Sequence, residues 1–385
     1  MLSENTMSST DILIDTYLAD VVVPSAIQFD TGRVITELDS LEVAKYGLLD
    51  RIFLKDEKQS LEVLVETLVK VSAKCGNLRN LFLVNYGMVG MLLKECSKSN
   101  SIFIPEYEQI RKGMKIGALA MSEKSGGSNS KSFTSRVSRS NGSLVLNGTK
   151  TWITLGCVAN FYLVQAWVET ELRLIYVPRE ASGITVQPID GILGARGSGL
   201  STIKFHDVHV NEQSILPSHL LGFPGLCSQD FILRNGRLFA GSSGLGMGLA
   251  ALEQATKVLR HKKNSKGSLF FQGDWQMKIS DSYQTSVALI SLLRDVVANY
   301  SKYMTESDDK FTPLKILGTK FAINSAELFM KATGAESYKE SNSSNRIWRE
   351  SIAGEFIEGG NVVLTSKCSL DWLRIVLSGK VYDVF

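Results

Sequence analysis

The spacing of apolar residues changes twice along the chain, and this change restricts the fold more than any other feature. Before about residue 115, apolar residues recur three and four apart, as in Leu61, Leu64, Val65 and Leu68, which predicts helices. Short strands and turns follow up to about residue 217, and helical spacing then returns. The sequence therefore predicts an α+β chain of three domains. They are a helical domain (residues 1–114), a middle β-barrel or sandwich (residues 115–217) and a second helical bundle (residues 218–385).

Local patterns predict individual elements within these domains. Asn141-Gly142 and Asn147-Gly148 each predict a hairpin turn, and the runs FYLVQAWV and LRLIYV around the polar tip ETE predict a further hairpin. In VALISLLRDVVANY one helix face collects Leu289, Leu293, Val296, Val297 and Tyr300. The run SSGLGMGL resembles a dinucleotide fingerprint but follows no strand. We interpret it as a small-residue face for close helix packing.

Composition and charge argue against several classes of function. The formal net charge of +3 over 385 residues is too small to indicate nucleic-acid binding. Five widely spaced cysteines without a CxxC pair indicate reduced thiols in a cytoplasmic protein. The first residues lack the apolar core of a signal peptide, and no apolar run of about 18 residues predicts a membrane span. The four histidines form no metal-binding pattern, so no metal is expected.

Three segments carry residues suited to chemistry. GALAMSEKSGGSNS runs from a strand into a turn whose N–H groups can closely approach a phosphate or a polar ring. In LNGTKTWIT, Trp152 and Thr154 are two apart on a predicted strand, so their side chains should share a face and suit a flat heteroaromatic ligand. In EFIEGGNVV, Glu358 precedes two glycines and can project its carboxylate into a cleft. Taken singly, each segment also fits a purely structural role: a surface loop, a packed tryptophan or a solvated helix end.

The order and combination of these segments resemble the acyl-CoA dehydrogenase family from about residue 60 onward. Residues 122–129 take the place of the family's Thr-Glu-Pro-x-Ala-Gly-Ser-Asp signature, and residues 147–154 closely match its NGTKxWIT segment. LGARGSGLSTIKFHDVHV matches the strand that closes the β domain, and NGRLFAGSSGLGMGLAALEQA matches the helix that opens the last domain. WRESIAGEFIEGG matches the segment that carries the catalytic base. The resemblance implies the family's fold, with a C-terminal four-helix bundle.

The same resemblance implies an FAD-dependent acyl thioester dehydrogenase. Glu358 would take the α-proton of the acyl group while FAD accepts a hydride from the β-carbon, since no side chain can accept a hydride. A carboxylate in a dry pocket should have a pKa above its free value of about 4.3. The implied cofactor contacts are Met121, Ser122, Gly127, Ser128, Trp152, Thr154, Lys266, Lys331, Gly334, Gly360 and Asn361. The implied substrate contacts are Ser128, Arg237 and Gly359.

The sequence differs from the family pattern at three positions. In family members these positions contact FAD, in part the FAD of a neighbouring subunit. Ser265 stands where members carry an arginine, and Lys266 is a partial substitute. Lys331 replaces the glutamine of the Gln-x-x-Gly-Gly motif, and Gly360 replaces a threonine. The resemblance still implies a homodimer or homotetramer, with an altered site for the cofactor phosphates.

The substrate and its carrier stay open at this point. The ARGSG form of residues 194–198 resembles relatives that oxidise acyl groups on carrier proteins in secondary metabolism, and the basic run at residues 260–263 suits an acidic carrier. That basic run fits a solvated helix end equally well. Alternative functions are an acyl-CoA dehydrogenase of fatty-acid or amino-acid catabolism, a flavin monooxygenase, and a binding homologue without FAD. The sequence specifies neither the acyl group nor the electron acceptor.

Overall fold

The N-terminal domain is helical, as the sequence predicts. The computed structural model describes residues 8–126, 132–140, 142–306 and 309–379. The four residues of the predicted face of α5 are all buried, and a fully buried π-helix at Leu81–Gly90 continues into α6. The helices are α1 (Ser9–Tyr17), α2 (Val23–Asp30), α3 (Glu37–Lys45), α4 (Leu48–Ile52), α5 (Glu57–Ser72), α6 (Met91–Ser97) and α7 (Ile104–Arg111).

One helical segment differs from the sequence expectation. A short π-helix joins α1 to α2, and together Ser9–Asp30 is long and apolar enough to cross a membrane by length and composition, with a mean hydropathy of 1.4. Ile14, Tyr17, Val22 and Phe29 from this segment are fully buried in the protein core. Asp30 at its end is paired with an arginine of the C-terminal domain. These contacts are those of a helix packed within the protein.

The middle domain is a single seven-stranded mixed sheet, rather than two packed sheets. β1 and β2 pair in parallel with successive stretches of one edge of β4, and β5 pairs with the other edge. From β2 the sheet continues through β3 and β7 to β6. The strands are β1 (Gly117–Ala120), β2 (Arg136–Ser140), β3 (Ser143–Ile153), β4 (Phe161–Val168), β5 (Glu171–Pro178), β6 (Ile184–Pro188) and β7 (Ser201–Val210).

The predicted hairpin turns have different outcomes. β4 and β5 form the predicted antiparallel hairpin around the ETE tip. β2 and β3 are also an antiparallel pair, although Asn141 lies outside the described residues. The turn predicted at Asn147-Gly148 is wrong, because both residues lie inside β3, where the pairing with β7 shifts register. Gly148 packs against Ser135, so a Cβ at position 148 would lie 2.2 Å from the Ser135 Oγ atom.

The C-terminal domain is organised around two helices, α8 and α11, that pack at backbone contact. A Cβ on Gly244 of α8 would lie 2.4 Å from the backbone of Gly318 on α11. The prediction that the SSGLGMGL run is a close-packing helix face is therefore confirmed. The elements are α8 (Ser228–His261), β8 (Lys263–Asn264), β9 (Gly267–Ser268), α9 (Gly273–Ala298), α10 (Tyr300–Thr305), α11 (Phe311–Thr333), α12 (Ser343–Ile352) and α13 (Asn361–Leu377).

All three domains meet at the ARGSG segment. The Gly197 N–H donates to Asn77 Oδ1 at 2.6 Å, and Asn80 Nδ2 donates to Ser198 Oγ at 2.7 Å. Arg349 of α12 makes a buried two-bond ion pair with Asp30, at 2.8 and 2.6 Å, and donates to the Leu193 carbonyl. Gly197 and Ser198 are buried. The segment is therefore a joint between the three domains.

Candidate active site

Glu358 lies in the short connection between α12 and α13. Its carboxyl group packs against α8 at a glycine, where the helix has no side chain. A Cβ at Gly236 would lie 2.2 Å from Glu358 Oε2, so the carboxyl group occupies the space that any other residue at position 236 would fill. Glu358 has a φ of 53° and Gly359 a φ of 98°, and this left-handed pair turns the chain toward α8. Sequence reasoning identified Glu358 but missed Gly236, which stands immediately before the predicted Arg237.

The electrostatic surroundings of Glu358 suit a general base. Its carboxylate accepts no hydrogen bond from the described residues, so its lone pairs are free. Burial raises the pKa of Glu358 to about 7, and the positive charges of Arg237 and Lys315 limit the rise. A general base works best when its pKa is near the working pH, because it is then both ionised and basic.

Lys315 of α11 clamps the loop that carries Glu358. Its Nζ atom is fully buried and donates to the Gly359 carbonyl and to Asn361 Oδ1, each at 2.7 Å. Asn361 is buried and in turn donates to Thr319 Oγ1 at 3.1 Å. Burial lowers the pKa of Lys315 to about 8, against the pull of the nearby Glu358 charge. Sequence reasoning missed Lys315, although it lies on the apolar face shared by Phe311, Leu314 and Gly318, where a lysine needs a reason.

We expect Lys315→Met to loosen this loop and to raise the pKa of Glu358. The substitution leaves the Gly359 carbonyl and Asn361 Oδ1 without their donor, at a cost of about 1–3 kcal/mol for each buried group. Removal of the positive charge should also raise the pKa of Glu358 further. Urea unfolding should show the lost stability, and the pH at which flavin reduction reaches half its maximum should move upward. The exposed Lys320→Met on the same helix is the matched control, and an unchanged pH profile in Lys315→Met would contradict the clamp.

Arg237 is held on the α11 side of the site. Its Nη1 donates to Thr312 Oγ1 at 3.0 Å and lies 3.4 Å from Asp309 Oδ2, so its charge is partly matched within the protein. Its Nε is buried and has no hydrogen-bond partner among the described residues. Arg237 lies close enough to Glu358 for its charge to act on that carboxylate, and its contact with substrate stays a prediction.

A second group of predicted residues gathers at the end of β1 and β3. Lys150 is fully buried and donates to the Met121 carbonyl at 3.1 Å and to Glu123 Oε1 at 2.8 Å. The Thr151 N–H donates to the Ser122 carbonyl at 2.9 Å. The buried Lys150–Glu123 pair therefore fixes the Met121–Ser122 backbone beside the end of β3. Gly127 and Ser128 lie outside the described residues.

Trp152 and Thr154 are close to this backbone, but not for the reason that the sequence suggests. β3 ends at Ile153, and Trp152 has a φ of 60° after a register shift, so strand alternation does not place the two side chains on one face. The Trp152 side chain is 60% exposed, which is unusual for an indole beside a core. The arrangement leaves a flat aromatic surface next to the Met121–Ser122 main chain.

Two further predicted cofactor contacts, Gly360 and Asn361, directly follow the Glu358–Gly359 turn at the start of α13, whereas the other three lie at the far end of the C-terminal domain. Lys266 is exposed in the turn between β8 and β9, and Lys331 is exposed and paired with Glu327 on α11. Gly334 ends α11 with a φ of 74°, and Lys262 Nζ donates to the Ala332 and Thr333 carbonyls there. These residues lie near the end of α8, about 37 Å along the helix from Gly236. Within one chain they are remote from Glu358, as contacts to another subunit would be.

Comparison with known proteins identifies the family. Residues 118–208 match the family model for the acyl-CoA dehydrogenase middle domain, and residues 227–367 match that for the acyl-CoA dehydrogenase C-terminal domain. Together these matches cover more than half of the chain. The chain belongs to the acyl-CoA dehydrogenase family. It is an FAD-dependent oxidoreductase of that family, so the comparisons favour the dehydrogenase over the non-catalytic alternative.

Individual relatives agree with this assignment over nearly the whole chain. The mitochondrial short-chain specific acyl-CoA dehydrogenase of Rattus norvegicus is 23% identical over 350 residues, covering 88% of this chain and 83% of the relative. The structure of butyryl-CoA dehydrogenase from Megasphaera elsdenii aligns with a TM-score of 0.84 and 16% identity, covering 96% and 99% of the two chains. FkbI, described as acting in biosynthesis of the methoxymalonyl extender unit of the polyketide Fk520, aligns with a TM-score of 0.79 and 17% identity, covering 94% and 99%.

The described residues fit FAD. A largely exposed indole beside fixed main-chain groups offers a stacking surface and hydrogen-bonding groups for a flat heteroaromatic ring. The exposed Lys266 and Lys331 offer positive charge for phosphates at the far end of the domain. Among the described residues, no group of three His, Cys, Asp or Glu side chains could hold a metal ion.

Proposed function

We propose that this chain oxidises an acyl thioester, with Glu358 as the base that removes the α-proton. The observation that carries the proposal is the free Glu358 carboxylate, seated against Gly236 between the charges of Arg237 and Lys315, with its pKa raised to about 7. An α-proton next to a thioester is weakly acidic, so its removal needs a base that is held in place and partly shielded from water.

Each part of the site has a defined task. Lys315 and Asn361 hold the loop so that the carboxylate stays over α8. The Lys150–Glu123 pair holds the Met121–Ser122 backbone, which with Trp152 and Thr154 would hold the flavin ring. When bound, FAD supplies the hydride acceptor that no side chain can provide. Glu358 then needs to hold only the proton.

The experiment is anaerobic mixing of the FAD-loaded protein with acyl-CoA thioesters of graded length. Loss of the oxidised flavin absorbance with at least one thioester is the expected result. A protein that binds FAD and is bleached by dithionite, but by no thioester, would contradict the proposal.

The pH dependence of this reaction should report Glu358. The base must be ionised to accept a proton, so below its pKa of about 7 the rate of flavin reduction should fall roughly tenfold per pH unit, and above it the rate should level off. An ordinary glutamate, with a pKa of about 4.3, would give a flat profile over the same range. Stopped-flow measurements between about pH 6 and pH 8 distinguish the two, and a flat profile would count against this base.

As a second and finer candidate, we propose that the acyl group is carried by an acidic carrier protein in secondary metabolism. What supports it is the likeness to FkbI over 94% of the chain. The basic run at residues 260–263 gives weaker support than the sequence suggested. Lys262 donates hydrogen bonds to carbonyl groups at the end of α11. The run also lies about 37 Å along α8 from Gly236.

The carrier can be tested directly. The same acyl group is presented on coenzyme A and on an acidic carrier protein, and flavin reduction is compared at low and high salt. Faster reduction from the carrier, with a rate that falls as salt rises, is expected. Equal or faster reduction from the coenzyme A thioester at all salt concentrations would favour a catabolic acyl-CoA dehydrogenase. The proposal includes a cytoplasmic homodimer or homotetramer, whose size gel filtration with light scattering would measure.

A further inference from the structure

Arg237 and Glu358 are close neighbours that the structure keeps unpaired. Glu358 packs on α8 at Gly236, one residue before Arg237, and the charge of Arg237 acts on its carboxylate. The carboxylate nevertheless accepts no hydrogen bond from the described residues, and the buried Arg237 Nε atom has no partner among them. A guanidinium carries five N–H donors and forms strong, charge-assisted bonds with a carboxylate. Other contacts must therefore hold Arg237 away from the base.

Asp309 and Thr312, at the start of α11, supply those contacts. Arg237 Nη1 donates to Thr312 Oγ1 at 3.0 Å and lies 3.4 Å from Asp309 Oδ2. The Thr312 hydroxyl donates in turn to Asp309 Oδ2 at 2.6 Å. The side chains of Arg237 and Asp309 are each 14% exposed, so little solvent screens their attraction. Of the two carboxylates beside it, Arg237 contacts Asp309 and leaves Glu358 free.

Asp309 is itself held in place. Its Oδ1 atom accepts from the Thr312 N–H at 3.0 Å, and Lys367 of α13 forms an ion pair with its Oδ2 atom. Arg234 of α8 donates to the Glu306 carbonyl at 3.1 Å and so anchors the chain shortly before Asp309. Burial opposes the charge of Asp309, but the bonds from Lys367 and Thr312 lower the pKa of Asp309 to about 2. Asp309 therefore stays ionised over the whole range in which Glu358 titrates.

We propose that Asp309 is a positioning residue, which holds the Arg237 guanidinium on the α11 side and so keeps the Glu358 carboxylate free to accept the substrate proton. This inference rests on the proposed role of Glu358 as the base. Without the Asp309 charge, Arg237 would turn its unused donors toward Glu358. That pair would stabilise the ionised carboxylate and occupy its lone pairs, which makes Glu358 a weaker base. Asp309 thus acts on the base through Arg237.

The two carboxylates face different sets of charged groups. Those around Glu358 are Arg237 of α8, Lys315 of α11 and, next to Lys315, Glu355 of the same connection. Those around Asp309 are Arg237, Lys367 and Cys368 of α13, and the adjacent Lys310. Arg237 is the group common to both sets. An effect of Asp309 on Glu358 should therefore depend on Arg237.

The test is Asp309→Asn, which keeps the shape of the side chain and removes its charge. Glutamate that is isotope-labelled at its side-chain carboxyl carbon is incorporated into the FAD-loaded protein, and the Glu358 signal is the one missing from Glu358→Gln. The NMR titration of this signal should have its midpoint about 1–3 pH units lower in Asp309→Asn than in wild type, because a close opposite charge lowers the pKa of a carboxyl group by that amount. The pH midpoint of flavin reduction by a thioester should move down with it.

Two further variants distinguish positioning from a purely structural role. Lys367→Met breaks the ion pair between α13 and Asp309 but keeps the charge that holds Arg237, so the Glu358 midpoint should not move downward. In an Arg237→Met background, Asp309→Asn should leave the midpoint where Arg237→Met alone puts it, since the group through which Asp309 acts is gone.

Three outcomes would overturn the proposal. They are an unchanged Glu358 midpoint in Asp309→Asn, the same downward shift with and without Arg237, and a downward shift in Lys367→Met. If Asp309→Asn does not fold, Thr312→Val replaces it. That variant removes one partner of Arg237 and keeps the Asp309 charge, so the midpoint should move down by less, and an unmoved midpoint counts against the proposal.

The NMR titration also separates this proposal from the oxidation itself, because it needs no turnover. If no thioester reduces the flavin, the proposed function fails, while the titration still decides whether Asp309 keeps Arg237 away from Glu358. If thioesters reduce the flavin but the Glu358 midpoint is the same in wild type and Asp309→Asn, the positioning role alone is overturned.

Discussion

Glu358→Gln is expected to slow flavin reduction by the substrate thioester about 10²–10⁴-fold, while FAD remains bound. Glutamine keeps the shape and volume of the side chain over Gly236, so the loop held by Lys315 should stay in place. What is lost is the lone pair that accepts the α-proton. Rapid mixing under anaerobic conditions gives the rate, and the flavin spectrum before mixing shows that the cofactor is retained.

Two other glutamates lie in the same region, and one of them serves as a control. Glu355→Gln changes a partly buried residue of the same connection and should reduce flavin at close to the wild-type rate. Glu350 is an unsuitable base, because its carboxylate is buried and accepts bonds from Gly76, Asn77 and Arg346. A Glu358→Gln variant as fast as wild type, together with a slow Glu355→Gln variant, would transfer the role of base to Glu355.

Arg349→Met is expected to cost about 3–5 kcal/mol of folding free energy, because it leaves the Asp30 carboxylate buried without its partner. The same arginine donates to the Leu193 carbonyl, so the loss falls on the junction of all three domains. Urea unfolding followed by tryptophan fluorescence measures the change. An independent readout is proteolysis at the domain junctions, which should become faster as the domains separate more often.

The comparison for this prediction is an exposed ion pair of the same chemistry. Arg374 and Asp371 lie 2.9 Å apart on α13 with most of the arginine in solvent. Arg374→Met should change stability by no more than about 1 kcal/mol. The double variant Asp30→Asn with Arg349→Met should recover part of the loss, since it removes the buried charge as well as its partner. Equal effects of Arg349→Met and Arg374→Met would show that the interdomain pair contributes little.

The sequence predicted the fold wherever a repeated pattern decided it. The apolar face of α5 and the hairpin of β4 and β5 follow directly from residue spacing, and both are present. The turn at Asn147-Gly148 fails because pairing with β7 outweighs the local preference of Asn-Gly, and the glycine serves a close contact within the strand instead. Strand alternation likewise failed at Trp152, where the register shift ends the regular pattern.

Candidate site residues that belong to a family motif could be predicted from the sequence. Residues whose importance depends only on their burial were missed. Glu358 is visible because it stands before two glycines in a matched segment. Lys315 is a single basic residue among apolar ones, and a sequence alone does not tell whether such a residue reaches solvent. The three-dimensional contacts show that it holds the loop that carries Glu358. The role of the ARGSG segment as a domain joint was likewise not visible in the sequence, because its partners Asn77 and Asn80 lie more than 100 residues away along the chain.

The 34 residues of α8 form one uninterrupted helix, and this continuity sets a length. Its first third supports Glu358 at Gly236, and its last turn lies beside the residues predicted to reach the cofactor of a second subunit. Backbone contact between Gly244 and Gly318 packs α8 tightly against α11. If subunits share cofactors in this way, a single helix spans the distance from the proposed base of one subunit to the phosphate end of its neighbour's flavin.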